Sequence, residues 1–411
     1  MSPPTACRRR QRRSWPERVR LLVLTPGELT RDPRARRAAL TAAARGHETV
    51  GLCPRSEDAP GLLDGVSVVR VRGERLSATL RRAGLGGMRR SHPLVREARG
   101  VYRLLRLSRR TFALAAAGRR LGPFDVVHAN DFDTLPAAWL IARRGQGRVV
   151  YDSHELYTTQ EPDPPRAFQL IAGAVEGALA RRAAAVVTSG PPYAAELKRR
   201  LRLARDPAIV LNCPERITVE PPEPPAGALR VIYQAAMGPG RPLADVVAAA
   251  AHAEGVEITL RVVGVDEATL LAEIDRHGLA DRVRLAEPVS ADRLVEGLWG
   301  FHCGLIINRP VTLTDELVLP NKLFEYMMAG LAVVVPRLPG LAPLVEVEAI
   351  GVCFEPGRPD DLGAALARLA ADREGTAEMG RRARKLALER YNAQTQAEEL
   401  ARVWDRPERP A

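Results

Sequence analysis

Residues Leu319–Val335, LPNKLFEYMMAGLAVVV, hold a strand exit, a helix start, a charged pair and a second strand in one short stretch. Pro320 keeps the residue before it out of the helical region. Asn321 follows as the expected N-cap, because its side-chain oxygen can accept a backbone N–H of the first turn. Leu323, Phe324, Met327 and Met328 recur at helical spacing and give one apolar face. Gly330 is placed to end that helix, where a left-handed residue is wanted. Leu331 to Val335 is a short apolar run, the pattern of a parallel strand buried on both faces.

Asn321, Lys322 and Glu325 then stand at a helix N-terminus just after a long loop. Unpaired N–H groups and a partial positive charge make such a terminus suit a phosphate. Glu325, one turn in, can bind a pair of sugar hydroxyls. The same residues also fit a plain Lys322–Glu325 ion pair on a surface helix.

The stretch resembles the donor-site motif of retaining glycosyltransferases of the GT-B fold, family 4. There a Glu-x7-Glu element precedes G-x-P-V-V, and its second Glu binds the nucleotide ribose. Glu325 matches that second Glu. The resemblance implies that the helix start, with Asn321, Lys322 and Leu323, faces the donor diphosphate. The family's first Glu falls here on Leu317, and Glu316 stands one residue off register.

Length and composition fit this reading. The 411 residues suffice for two domains. A hydrophobic share of 46% and a charged share of 27% describe a soluble globular chain. The formal net charge of +12 points to an anionic partner: nucleic acid, acidic lipid or a phosphate-rich substrate. Aromatics at 4% are sparse for a protein that reads single strands by stacking, so nucleic acid is not the expected partner. Cys7, Cys53, Cys213, Cys303 and Cys353 lie far apart without a CxxC pair. That argues for a reducing compartment and against a zinc site or disulfide framework. No apolar run reaches the length of a membrane span.

The chain in order alternates strand and helix. Residues 1–16 read as a disordered basic tail. Arg18 to Leu24 is a buried strand, followed by the loop TPGELTRDP, a helix ending at Gly46, and a strand from Thr49 to Cys53. Gly27 sits at the carboxyl end of the first strand, where ligands bind in such sheets, and equally suits a tight turn. Val66 to Val71 is the next strand. Residues 80–110 are crowded with arginine: Arg81, Arg82, Arg89, Arg90, Arg96, Arg99, Arg103, Arg106, Arg109 and Arg110, with Glu97 the lone acid. Interleaved Val101, Leu104, Leu105, Leu107 and Phe112 make this a basic amphipathic helix. It fits an anionic membrane surface, or a solvated face with arginine stems over apolar surface.

Phe124 to Ala129 and Arg148 to Tyr151 are buried strands ending in NDFDTLPAA and DSHELY. Their polar ends should converge on one cleft, with His128, Asp131, His154 and Glu155 as candidates. These segments resemble the paired motifs on the acceptor side of family-4 sites. His154 matches the histidine that in the family contacts the transferred sugar. Residues 214–228, with five prolines, read as the linker.

A second βα repeat starts at Leu229, with the loop AMGPGRPL after its first strand. Gly238-x-Gly240 lacks the third glycine of a dinucleotide fingerprint, since position 243 is Leu243. The loop instead resembles the family's donor loop. Gly240 then lies beside the donor, and Arg241 matches the basic residue that neutralises the diphosphate. Strands over 258–263, 282–286 and 303–307 alternate with helices over 267–277 and 291–298. A long polar loop over 308–320 follows. Helices over 360–371 and 376–390 close the domain.

The expected architecture is α/β, GT-B: two Rossmann-like doubly wound domains facing a cleft. The N-terminal acceptor-side domain spans 17–213 and the donor domain 229–390. A helix over 391–411 crosses back to the first domain. The expected chemistry is transfer of a sugar from a nucleotide-diphosphate sugar to a glycan, lipid-linked or small-molecule acceptor, with anomeric retention implied by the family. His154, Arg241 and Lys322 are the catalytic candidates. No metal or cofactor is expected beyond the nucleotide sugar. The expected location is cytoplasmic, with peripheral attachment to the inner membrane face. The rival readings are an inactive GT-B scaffold subunit, a same-fold sugar-nucleotide epimerase or hydrolase, and a basic nucleic-acid-binding protein.

Overall fold

A computed structural model describes residues 18–54, 63–71, 93–159, 163–236 and 242–405. The tail over 1–16, the arginines between 80 and 92, and the loop carrying Gly238, Gly240 and Arg241 lie outside the described residues.

In the first half, strands β1 (Arg20–Leu24), β2 (Glu48–Pro54), β3 (Val66–Val71), β4 (Val126–Asn130), β5 (Arg148–Asp152), β6 (Ala185–Thr188) and β7 (Ala208–Ile209) form one parallel sheet. Its order is β3-β2-β1-β4-β5-β6-β7. Helices α1 (Pro33–Ala44), α2 (Pro93–Arg120), α3 (Leu135–Gly145), α4 (Arg166–Ala180) and α5 (Pro191–Leu201) cover it. Strand β1 shows why the run from Leu21 to Leu24 is apolar. Leu22 and Leu24 pack under α2, α3 and α4, and Leu21 and Val23 pack under α1. Both faces are dry, so neither takes a polar residue.

The second half repeats the plan. Strands β8 (Leu229–Ala236), β9 (Val256–Val263), β10 (Val283–Leu285), β11 (Cys303–Leu305), β12 (Ala332–Pro336) and β13 (Gly351–Phe354) order as β10-β9-β8-β11-β12-β13. Helices α6 (Leu243–Ala251), α7 (Glu267–Arg276), α8 (Leu313–Leu317), α9 (Asn321–Met328), α10 (Ala342–Val347), α11 (Pro359–Ala371) and α12 (Arg373–Glu389) belong to this half. In each sheet the winding reverses once, between β1 and β4 and between β8 and β11. The crevice outside the carboxyl ends of such a pair is where open α/β sheets bind ligands.

The last helix, α13 (Ala393–Asp405), returns to the first domain and packs on α1 and β7. Trp404 is fully buried in the first domain's core. Gln396 Oε1 accepts the Leu211 N–H at 2.8 Å. The two halves also meet through α8, because Leu313, Leu317 and Val318 pack against the first domain's core.

Some local expectations are corrected. The loop over 308–320 contains α8, started by a capping box: Thr312 Oγ1 accepts the Asp315 N–H, and the Asp315 carboxylate accepts the Thr312 N–H at 2.9 Å. The segment over 291–298 is two 3-10 turns, Ala291–Arg293 and Glu296–Leu298, with Gly297 lowering helix propensity inside it. Helix α10 and strand β13 add to the second domain beyond the expected elements. Asn321 is not the N-cap of α9. Pro320 holds that place with extended backbone (φ −73°, ψ 149°), Asn321 is the first helical residue, and no side chain caps the turn. At the far end Gly330 has φ 78°, its N–H reaches the Met327 carbonyl, and the Leu331 N–H reaches that of Tyr326. Those two bonds are a Schellman ending.

Candidate active site

Helix α9 is pinned to the strand ends by Tyr326. The Tyr326 hydroxyl donates to the Leu305 carbonyl and accepts the Gln234 N–H, both at 3.2 Å. Its ring lies where a Cβ on Gly304 would come within 2.2 Å, so β11 needs glycine at that point. This holds Glu325, the neighbouring residue, against the end of β8.

There Gln234 Nε2 donates to Glu325 Oε2 at 2.9 Å, and Arg261 Nη1 donates to Gln234 Oε1 at 3.4 Å. Arg261 is itself held by the Gly297 carbonyl at 3.0 Å. Burial raises the Glu325 carboxyl; the Gln234 hydrogen bond and the Lys322 charge oppose it. Lys322 Nζ lies 5.1 Å from the centre of the Tyr233 ring. Gln234, Arg261, Lys322 and Glu325, with Asn321 and Pro320, line a cavity of about 440 Å³ at the carboxyl end of the second sheet. Leu323 does not join them. Its side chain is in the core and its N–H is given to the Pro320 carbonyl at 3.0 Å, because helical phase turns it inward.

Facing it is the first domain's wall. Arg34, in the first turn of α1, is buried and grips Asp152 with two bonds, Nε to Oδ2 at 2.8 Å and Nη2 to Oδ1 at 2.7 Å. Its Nη1 donates to the Val210 carbonyl at 2.8 Å and to Asn212 Oδ1 at 3.1 Å. Burial alone would raise the Asp152 carboxyl. The Arg34 guanidinium, and after it His128, overcome that and hold it far below the usual carboxylate range.

His128 is not at the cleft surface. It points inside β4 with no exposure. Trp404 Nε1 donates to its Nδ1 at 3.3 Å, and its Nε2 lies 3.5 Å from Asp152 Oδ2. The Trp404 ring meets it edge-on at 5.8 Å. It joins the tail helix to the Arg34–Asp152 pair instead of meeting a substrate. Asp131 and His154 do come together, with Oδ1 and Nδ1 3.2 Å apart and side chains 18% and 23% exposed. Glu155 is exposed on the same loop. Gly27 is exposed at the end of β1 with open space where a Cβ would stand.

Sequence reasoning missed Arg34, Asp152, Gln234 and Arg261. Asp152 and Gln234 carry the weak signal of a polar residue at the carboxyl end of a buried strand. Nothing local marks the two arginines. Leu317, at the place of the family's first Glu, is used in packing against the first domain.

Two parallel sheets with facing switch points, joined by a tail helix that returns to the first, define the GT-B class. Residues 34–214 match the model of Glycosyltransferase Family 4, and residues 241–402 match that described as Glycosyl transferase-like. The chain belongs to the family-4, group 1 type of GT-B glycosyltransferases. No curated protein matches it by sequence. Among solved structures it resembles sucrose-phosphate synthase from Thermosynechococcus elongatus, with TM-score 0.71 and 16% identity over 94% of this chain and 98% of that one. It resembles the Anabaena protein HepE in complex with UDP at TM-score 0.68 and 15% identity, over 94% and 99% of the chains. A glycosyltransferase from Rickettsia africae aligns at TM-score 0.67 and 10% identity, over 94% and 98%.

Proposed function

We propose that the chain moves a sugar from a nucleotide-diphosphate sugar, bound in the second domain, to an acceptor held against the first, with retention of anomeric configuration. One observation carries the reading: the Glu325 carboxylate, fixed by Gln234, lines a cavity beside a helix start that no side chain caps. A carboxylate held in this way accepts two ribose hydroxyls, and the open N–H groups of α9 with Lys322 suit a diphosphate. HepE structures carry UDP and UDP-glucose, which supports a donor of this class. Retention rests on the family resemblance. The reading keeps Arg241, beside Gly240, as the second cation on the leaving diphosphate. It assigns charge neutralisation to protein groups, with no cofactor beyond the co-substrate.

Thermal melting with UDP-, GDP-, ADP- and TDP-sugars tests it. One donor should raise the melting point, since ligand at 100 times its Kd stabilises by about 2.7 kcal/mol. NMR of the product should show the donor's anomeric configuration, and transfer should persist in EDTA. If no sugar nucleotide shifts the melt, the scaffold reading replaces this one.

Glu325→Ala should weaken donor binding by about 1.5–3 kcal/mol, the scale of a charged hydrogen bond, with the melting point of the free protein little changed. Calorimetry with unchanged affinity would leave Glu325 only as a partner of Gln234.

The reading also places α2 and α4 against an anionic membrane surface. Val101, Leu105 and Phe112 on α2 and Leu170, Ile171 and Val175 on α4 are all exposed, and the two helices pack together. Arg99 and Arg106 are exposed on α2. Other arginines are used internally: Arg103 lies over the Phe168 ring and Arg110 pairs with Asp133. Glu97, the lone acid, accepts the Arg166 and Ala167 N–H groups and so caps α4. No helix of the described residues is long and apolar enough to cross a membrane. Vesicles with anionic lipid should co-sediment the protein, at about 1 kcal/mol per basic residue near the surface. Leu105→Asp with Phe112→Asp should abolish this. Equal sedimentation of the variant and the wild type would reduce the face to a solvated one.

A further inference from the structure

We propose that Arg261 and Gln234 are positioning residues: the arginine fixes the direction of the Gln234 amide, and the amide holds Glu325 as a carboxylate that only accepts hydrogen bonds, which selects a ribonucleotide over a deoxyribonucleotide. The inference rests on the reading of the second-domain cavity as the donor site and deepens it to the class of nucleotide.

The sheet brings the pair together. In the parallel register of β8 and β9, Gln234 stands beside Arg261. Side chains alternate faces along a strand. Tyr233 packs in one core and Ile232 in the core that holds α9, so Gln234 shares the α9 face with Ile232. Its N–H is given to the hydroxyl of Tyr326, the residue after Glu325, at 3.2 Å. Arg261 is anchored from its far side, where Nη2 donates at 3.0 Å to the Gly297 carbonyl in the second 3-10 turn.

The chemistry of the partners then sets the direction of each bond. A guanidinium has donors alone, so the group that Gln234 turns to Arg261 Nη1, at 3.4 Å, must be its carbonyl oxygen Oε1. The amide Nε2 is left to donate to Glu325 Oε2 at 2.9 Å. Turned the other way, the amide would set N–H against N–H at Arg261 and oxygen against oxygen at Glu325. Burial raises the Glu325 carboxyl, and Gln234 is the first group to oppose it. Among the described residues the carboxylate accepts no other hydrogen bond, so Oε1 is left for a ligand in the cavity that Glu325 lines. A carboxylate held in this way needs hydroxyl donors. The 2′- and 3′-hydroxyls of ribose supply two. A 2′-deoxyribose supplies one and leaves part of a half-buried carboxylate without a partner.

Calorimetry on the full chain with UDP, GDP and ADP, each against its 2′-deoxy form, and with TDP, reads the selectivity. The nucleotide that binds should bind about tenfold or more tighter than its deoxy form. Gln234→Met removes the donor at similar bulk, and Arg261→Met frees the amide to turn. Both should cut the ratio to about threefold or less, whereas Arg261→Lys keeps a donor and should hold it near the wild-type value. Residues that served only to hold the fold would lower both affinities together and leave the ratio unchanged. The ratio is internal to each preparation, so a variant with a lower melting point still gives it. A wild-type ratio near one, binding of TDP alone, or a ratio unchanged in both methionine variants overturns the proposal and leaves the donor site standing. If none of the nucleotides binds, the donor-site reading itself fails and the proposal with it.

Discussion

His154→Ala should leave affinity for the bare nucleoside diphosphate near wild type and lower sugar transfer by about 10²-fold or more, the scale of a lost transition-state hydrogen bond. The residue stands on the loop after β5, on the first domain's wall, away from the cavity that Glu325 lines. On the proposed reading, a donor nucleotide bound in that cavity does not need it, and a sugar transferred across the cleft does. The competing role is a strut for the acceptor loop, and it predicts a different pattern. A strut would lower melting temperature, nucleotide affinity and transfer together. Measuring all three on one preparation decides between them, and normal transfer in the variant would remove His154 from the catalytic set.

Arg34→Met should destabilise the protein by about 3–5 kcal/mol at neutral pH, because it strands a buried carboxylate. Asp152 is 1% exposed, and both its oxygens take bonds from the guanidinium. Methionine supplies similar bulk, so the loss is mainly electrostatic. The pH dependence follows from the sign of the shift. In wild type the Asp152 carboxyl lies below its unfolded value, so its contribution is present above about pH 4 and is lost as pH falls further. In the variant the same burial raises it, so ionised Asp152 is a cost at neutral pH. The gap between the two proteins should therefore narrow as pH falls toward about 4. Denaturant unfolding at pH 7 and pH 4 measures it. An equal gap at both would mean that packing of the Arg34 stem dominates, and a gap near zero would show that water screens Asp152.

Much of the architecture was legible in the chain because the signals are local. Apolar runs bounded by glycine and proline mark strands buried on both faces, and the alternation of such runs with helical spacing marks two doubly wound sheets. The stretch around Glu325 was legible for the same reason: Pro320, the apolar face and Gly330 lie within a few turns of one another. Its N-cap was misread by one residue, since Asn321 and Pro320 both suit the place and only backbone geometry separates them.

The division of labour among the polar residues was decided by tertiary structure. His128 lies near the carboxyl end of β4 and His154 just after β5, but one points into the core and meets Trp404, 276 residues later, while the other reaches the cleft. Arg34 is one of 61 Lys and Arg residues, and its neighbours in sequence look the same. It is distinguished only by Asp152, Val210 and Asn212, brought to it from two later segments. Hydrophobic period is a property of near neighbours along the chain, so the sequence by itself determined the sheets and the class. Hydrogen-bond partners and buried charge depend on residues far apart in the chain, so only the folded structure decided which carboxylate is paired and which histidine reaches the cleft.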